Sequence, residues 1–491
     1  MRHSHFLALA SLASTVANAG AILAPPPDLA EAVKGYVSVT AGQIALTHVR
    51  VIDGTGAEPV EDRTILIDGP RIVAVEAASK AIPQGYRILD LTGASVMPGI
   101  VGMHNHMFYI ARPNADASGH AEDPLVLPQM TFSAPRLYLA NGVTTMRTTG
   151  SVEPYSDLNV KRAIDRGELV GPHMDVTGPY LEGANSPFIQ MHRLTGPEDA
   201  RRTVAFWADQ GVTSFKAYMN ITRAELKAAI GEAHRRHLKI TGHLCAVTYP
   251  EAAELGIDDL EHGFFVNTQL DPGKQPDKCT DSGGTATLLA MSPGSPEASR
   301  LIALLVSKHV AVTSTLPVFE HDIPLHAPLQ ARQMAVMTPQ AREAYLYARN
   351  RRASRTDQAA KDDVRAYAND IALERQFVAA GGLLLAGPDP TGNGGVIPGF
   401  GDQRGLELLV EAGFSPLEAI RIGTLNGATY LGLADSIGSI APGKNADLVV
   451  VRGNPARSIG DVEKVETVFK DGVGFDSAKL IDSVRGRYGQ Y

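Results

Sequence analysis

His104 and His106 stand one residue apart in VMPGIVGMHNHMF, directly after an apolar run that ends in Pro98-Gly99. Such a run reads as a buried strand, in which residues two apart point to one face. Both imidazoles are therefore expected to face the same way and could hold one metal ion from two sides. An H-x-H pair alone is short, and a coincidental pair on a loop would look the same. Four more polar residues close apolar runs: Lys216 in TSFKAY, His243 in LKITGHL, His262 in DDLEHG and Asp389 in GLLLAGPD. Taken singly each has an ordinary use, Lys216 in a salt bridge at the core edge, His243 and His262 as hydrogen-bonded core histidines, Asp389 as a turn former before Pro390. Gathered in one pocket, four neutral imidazoles and a carboxylate are good ligands for zinc-like divalent ions. The lysine is the odd member. Its ammonium would repel such ions, so Lys216 must be neutral or chemically changed. Burial favours the neutral amine, which can take up CO2 as a carbamate whose two oxygens could bridge two ions.

The elements that would bring these residues together alternate along the middle of the chain. Eight apolar runs, VMPGIVGM, GVTTMRTTG, PHMDVTGPY, TSFKAY, LKITGHL, DDLEHG, VAVTSTL and GLLLAGPD, are separated or followed by amphipathic stretches such as GPEDARRTVAFWADQG, RAELKAAIGEAHRRH and SPLEAIRIGTLNGATYLG. Eight strands with intervening helices predict an α/β fold, a (β/α)8 TIM-like barrel over residues 96–433, in which strand carboxyl ends converge on one mouth. An open doubly wound sheet would need a Gly-rich phosphate turn that the sequence lacks. Before the barrel, IALTHVRVIDGTG, RTILIDGPRIVAVE and YRILDLTG read as short strands with Gly and Asp-Gly turns. IGSIAPGKNADLVVVRGNP and VEKVETVFKDGV near the other end have the same texture. Residues 45–95 and 434–491 are therefore expected to form one small β-sandwich domain closed by both chain ends, with residues 20–44 as a Pro-rich spacer.

At 491 residues, with 44% hydrophobic and 20% charged content, the chain can bury a sizeable core. MRHSHFLALASLASTVANA has the basic start, short apolar middle and Ala17/Ala19 pair of a secretory signal peptide, which predicts export to the periplasm or the medium with cleavage after Ala19. The leader carries one arginine and no acid, so its removal takes the net charge from −8 to −9. That balance disfavours nucleic acid or anionic membrane as partners, and no segment is long enough to span a membrane. Two cysteines, Cys245 and Cys279, are too few for a disulfide scaffold; their pairing stays open, and a small core thiol is the simpler reading of Cys245. HRRH at 234–237 reads as a solvated helical face. Neither G-x-S-x-G nor H-E-x-x-H occurs.

The flanking β segments, MPGIVGMHNHMF, the strand-end Lys216, His243 and His262, LLLAGPD, and IGSIAPGKNADLVVV together resemble the amidohydrolase superfamily over nearly everything after the leader. The similarity is greatest to its imidazolonepropionase-like branch of dipeptidases and amidases. Imidazolonepropionase itself lacks the bridging lysine, so Lys216 points to the binuclear relatives. Met107-Phe108 and AGPDP depart from the HxHxH and G-T-D forms usual there. The resemblance implies that His104, His106 and Asp389 hold the more buried of two divalent ions, zinc by preference, that His243 and His262 hold the more exposed one, and that carbamylated Lys216 bridges them. It further implies that Asp389 takes a proton from the attacking water and passes it to the leaving amine.

A small-molecule amide, a dipeptide or an N-acyl amino acid, is the expected substrate. A non-peptide amide, carbamate, lactone or phosphotriester suits the same metals, and a non-catalytic binding protein that kept the barrel is the rival of another class. Tyr218 shares the face of Lys216, and His192 lies on the loop after the third strand. Both could hydrogen-bond the substrate, while Arg349, Arg351, Arg352 and Arg355 could draw a carboxylate or simply line a solvated helix. The long stretch between Leu316 and Gly382 is expected to contribute a lid. Homo-oligomerisation is left open.

Overall fold

The computed structural model describes residues 28–110, 126–184, 186, 188–392 and 395–489. The expected signal peptide, residues 1–19, lies outside them.

Strands from the two ends of the chain share one nine-stranded sheet. Its order runs Val37–Val39, Val473–Asp476, Val465–Lys470, Leu448–Arg452, Ala94–Pro98, Gln43–Val51, Val60–Asp68, Arg71–Ala77, with Arg87–Asp90 also beside Gln43–Val51. Leu448–Arg452 pairs antiparallel with Ala94–Pro98, so the two terminal segments meet at the centre of the sheet. Residues two apart on these strands, Ile44 and Leu46, Ile65 and Ile67, Leu448 and Val450, enter one buried cluster with Ile72, Val96 and Phe469, as the two-residue period of a strand requires. The spacer expected over 20–44 is not featureless in its described part. Helix Glu31–Lys34 packs Val33 into the main core, and Val37–Val39 adds a strand to the sheet. Val37 and Val39 supply β-branched residues two apart, a strand signal that the prolines before them obscured.

The middle of the chain alternates parallel strands and helices. Ile100–Gly102, Val143–Arg147 and His173–Asp175 form a three-stranded parallel sheet; Thr177–Leu181, Ser214–Ala217, Lys239–Gly242, Asp259–Glu261, Ala311–Ser314 and Leu384–Ala386 form a six-stranded one. His173–Asp175 and Thr177–Leu181 are one run interrupted at Val176, so eight strand positions result. The last is tied to the first, because the Met103 N–H donates to the Ala386 carbonyl at 2.9 Å. All eight apolar runs read from the sequence coincide with these strands.

Helix boundaries follow local chemistry. Pro197–Gln210 starts on a proline at its first turn and stops at Gly211, whose φ of +100° suits glycine. Arg223–Arg235 and Tyr249–Leu255 open on the capping boxes Thr222/Glu225 and Thr248/Glu251. The SPLEAIRIGTLNGATYLG stretch starts as helix Pro416–Arg421, widens to a π-type turn over Ile422–Asn426 and resumes as Gly427–Tyr430. The insert before Gly382 is helical, not an open loop: Leu316–Glu320, Ala331–Val336, Pro339–Ala353 and Gln358–Ala379 occupy it. Thr338 and Asp357 accept backbone N–H groups at two of the helix starts.

Cys245 and Cys279 form a disulfide, which corrects the reading of Cys245 as a core thiol. Cys279 stands on a loop that a sequence pattern cannot bring beside the strand Lys239–Gly242. Among the described residues no helix is long and apolar enough to cross a membrane.

Candidate metal centre

Every residue singled out at a strand end sits at the carboxyl end of a parallel strand. Lys216 lies within Ser214–Ala217; His243 and His262 directly follow Lys239–Gly242 and Asp259–Glu261; Asp389 follows Leu384–Ala386 by three residues. The strand before His104 stops at Gly102, so the two-residue period does not itself aim the H-x-H pair. The pair nonetheless converges, with ring centroids 5.2 Å apart. The Tyr138 hydroxyl, which accepts the His106 N–H and donates to the His106 carbonyl at 2.7 Å, fixes that turn.

An unbroken series of contacts joins the six side chains. Asp389 Oδ1 lies 3.0 Å from His106 Nε2 and 3.7 Å from His104 Nε2, and Lys216 Nζ lies 3.2 Å from His104 Nε2. The His104 ring is 4.6 Å from that of His262, which is 4.5 Å from that of His243. His104, His106, Lys216 and His262 are each at most 2% exposed. Two of the positions adopt left-handed backbone, His262 with φ +70° and Asp389 with φ +54°. Such backbone is uncommon outside glycine and concentrates at functional sites. It also breaks strand alternation: Glu261 and its neighbour His262 both turn to the centre. Gly387 has no room for a side chain, since a Cβ there would lie 2.3 Å from the His104 backbone nitrogen.

Burial is the leading influence on the titration of the cluster. It pushes His104 and His262 well below the ordinary imidazole value and His243 down to about 3, which keeps all three neutral, the state that binds metals. Burial likewise lowers the Lys216 ammonium to about 8, against the raising pull of Glu261 and Asp389. For Asp389 burial acts upward, while the His106 hydrogen bond and the Lys216 ammonium act downward, and the carboxylate stays ionised.

Behind the cluster stands a buried charged network that the sequence reading missed. Glu261 Oε2 meets His104 Nδ1 at 2.6 Å. The Arg147 guanidinium donates to Asp259 at 2.6 Å and to Glu261 at 2.9 Å, and the Thr241 and Thr313 hydroxyls donate to the same carboxylates. A carboxylate on Nδ1 fixes the proton there and leaves Nε2, on the side of Asp389 and Lys216, as an electron-pair donor. The same logic holds for His262, whose Nδ1 meets Thr315 Oγ1 at 2.9 Å while its buried Nε2 has no hydrogen-bond partner. An orphaned buried nitrogen is costly, and together with the donor set it fits a metal ion. The sequence carried one signal for this network: Arg147 is a charge inside the apolar run GVTTMRTTG, and Asp259 and Glu261 lie two apart on the next strand but three.

The substrate-side expectations divide. Tyr218 lies at the cluster, its ring 4.9 Å from His243 and 4.8 Å from Tyr180. His192 does not: it is half-exposed and pairs with Asp199 at 3.1 Å. The loop that carries it turns Met191 and Phe188 inward instead, onto Phe108, Leu127 and Tyr180. Arg352 and Arg355 are held in ion pairs with Asp322 and Asp363. Tyr180 was legible in principle, since it ends PHMDVTGPY and stands in register with Lys216.

A model of the amidohydrolase family matches residues 95–345 and 386–474. The chain belongs to the amidohydrolase family. It is similar to an imidazolonepropionase of Porphyromonas gingivalis, 23% identical over 84% of this chain and 86% of that one, a likeness that supports the imidazolonepropionase-like branch. Among solved structures it resembles a putative prolidase from Bifidobacterium longum (TM-score 0.63, 24% identity, 90% of this chain and 99% of that one). It also resembles a Xaa-Pro dipeptidase with bound methionine (TM-score 0.65, 20% identity, 89% and 100%). The protein is thus a hydrolase acting on carbon–nitrogen bonds of the amide type, of a family that generally uses divalent metal ions. A pure binding module is set aside.

Glu261→Gln tests the network directly. It keeps the shape and a hydrogen bond to His104 but removes a charge, and metal affinity measured by chelator competition is expected to fall roughly 10- to 100-fold. Unchanged affinity would mean that packing alone holds His104.

Proposed function

We propose that this amidohydrolase is an exported binuclear enzyme that cleaves the amide bond of a dipeptide or N-acyl amino acid, in a mouth formed by a closed (β/α)8 barrel over residues 96–433. Residues 45–95 and 434–491 would constitute its small β-domain. The observation that carries the reading is the contact series linking His104, His106, Lys216, His243, His262 and Asp389 from five strands. His104, His106 and Asp389 offer donor atoms within 4.8 Å of one another for one ion. His243 and His262 would take the other, zinc in each case, with Lys216 as a carbamate between them.

Bound there, divalent ions would supply Lewis acidity, polarising a carbonyl and making water acidic enough to attack near neutrality. The chain's own residues do the rest. Asp389, kept ionised, accepts the proton of the attacking water and delivers it to the departing amine. Tyr218 keeps its hydroxyl proton, since burial raises it well above the ordinary phenol value, and donates a hydrogen bond to the substrate. Phe108, Tyr180 and Met191 form an apolar wall beside His106, which excludes water and accepts an apolar substrate side chain.

The substrate reading draws support from the neighbour that is itself a Xaa-Pro dipeptidase. Zinc-reconstituted enzyme is expected to cleave dipeptides or N-acyl amino acids and to lose kcat/KM when their terminal carboxylate is amidated, a contrast that reports transition-state binding. A panel that includes lactones, carbamates and aryl phosphotriesters decides. Preference for an uncharged class, or indifference to amidation, would overturn the carboxylate reading and leave the metal centre standing.

Export draws support from the Cys245–Cys279 disulfide, a bond characteristic of oxidising compartments. Mass spectrometry of the protein recovered from periplasm or medium should find Gly20 as its first residue. An intact leader on a cytoplasmic protein would refute export.

A further inference from the structure

His173, Asp447 and Asp471 come together far from the six-residue cluster. His173 opens the third parallel strand at its amino end, seven residues before Tyr180, so at 3.3 Å per residue it lies about 20 Å from the mouth. Asp447 precedes the strand Leu448–Arg452, and Asp471 sits in the Asp-Gly turn between Val465–Lys470 and Val473–Asp476. The group therefore bridges the parallel strands and the terminal sheet.

Its atoms are placed as a donor set is. His173 Nε2 lies 3.2 Å from Asp471 Oδ2 and 3.8 Å from Asp447 Oδ2, and the three donor atoms fall within 4.8 Å of one another. The Asp447 side chain is only 2% exposed. Its Oδ1 accepts the Asp471 N–H at 2.8 Å, whereas its Oδ2 points into the group with no hydrogen-bond partner. His173 Nε2 is also buried without a well-aligned partner, although it stands near Asp471. A buried carboxylate oxygen and a buried imidazole nitrogen left unsatisfied face to face are costly. Lys470 Nζ donates to Asp471 Oδ2 at 3.4 Å, longer than a strong charge-assisted hydrogen bond. His173 is one-third exposed, which leaves a way in.

We propose that His173, Asp447 and Asp471 form a second binding site for a divalent transition-metal ion such as zinc, distinct from the catalytic cluster, that clamps the foot of the third strand to the terminal sheet. One imidazole and two carboxylates with a water would complete a tetrahedral shell. The site makes no use of the catalytic ligands and does not depend on the substrate reading.

Crystals of the intact protein soaked in zinc and measured at the zinc absorption edge are expected to show an anomalous peak between the three side chains. In equilibrium dialysis against zinc, wild-type protein should bind one more ion per chain than His173→Ala or Asp471→Asn, and zinc should raise the melting temperature of wild type more than that of either variant. No peak at saturating zinc, or equal ion counts in wild type and a folded variant, would overturn the proposal and leave the group a polar contact of His173 with two aspartates. Should both variants fail to fold, the diffraction measurement on wild type decides alone.

Discussion

Asp389→Asn is expected to retain most of the bound metal while losing roughly 10²- to 10⁴-fold in kcat, the span typical of a general acid–base group. The substitution is nearly isosteric. Its amide oxygen can still lie beside His106, 3.0 Å away in the native chain, and four imidazoles remain as ligands. What it loses is the ability to hold a proton between water and amine. Metal content by elemental analysis and kcat under saturating substrate separate the two roles. Loss of metal in step with activity would make Asp389 a ligand before all else, and near-normal turnover would mean that another base serves. The left-handed backbone at Asp389 adds a control. Asn tolerates φ of +54° about as well as Asp does, so the circular dichroism and melting temperature should stay close to wild type.

Periodicity made the scaffold legible and longer-range pairing did not. Eight apolar runs announced eight strands because parallel strands buried on both faces are near-continuous in hydrophobic residues. GPEDARRTVAFWADQG announced its helix because proline and glycine stand at its two ends. The six-residue cluster was readable for a related reason: each member closes a run, and only a fold that gathers strand ends gives that repetition a meaning. Glu261 and Arg147 were not readable as a pair. They lie 114 residues apart, and their partnership exists only once the strands are in place. His192 failed for the opposite reason. A polar residue on a loop is equally free to face solvent, and the apolar neighbours Phe188 and Met191 took the inward positions. The disulfide was invisible because its cysteines stand 34 positions apart, with the helix Tyr249–Leu255 and the strand Asp259–Glu261 between them. The left-handed backbone at His262, which turns the ring toward His104, has no signature in a single sequence, because histidine, though enriched in that conformation, adopts it far less readily than glycine.

Lys216→Ala is expected to strip most of the metal from the enzyme and with it most of the activity, even at concentrations of zinc that saturate wild type. The reason is electrostatic. A lysine 2% exposed and 3.2 Å from His104 Nε2 stands where the ions would sit. An ammonium about 4 Å from an ion would cost about 4 kcal/mol per unit charge at an effective dielectric constant near 20. Burial already lowers this amine to about 8, which makes a useful fraction neutral and able to add CO2 with loss of a proton, turning the site's one cation into an anion. If the carbamate is the shared ligand, three preparations should agree. Lys216→Ala should bind less than half the zinc of wild type. Lys216→Met, which fills the space and so controls for a cavity, should behave the same way. Wild type prepared free of CO2 should take up zinc poorly until bicarbonate is added, and a carbamate carbon should then appear in its ¹³C spectrum from labelled bicarbonate. Full metal content in both variants, or uptake indifferent to CO2, would remove Lys216 from the ligand set and leave the neutral amine as a hydrogen-bonding neighbour of His104.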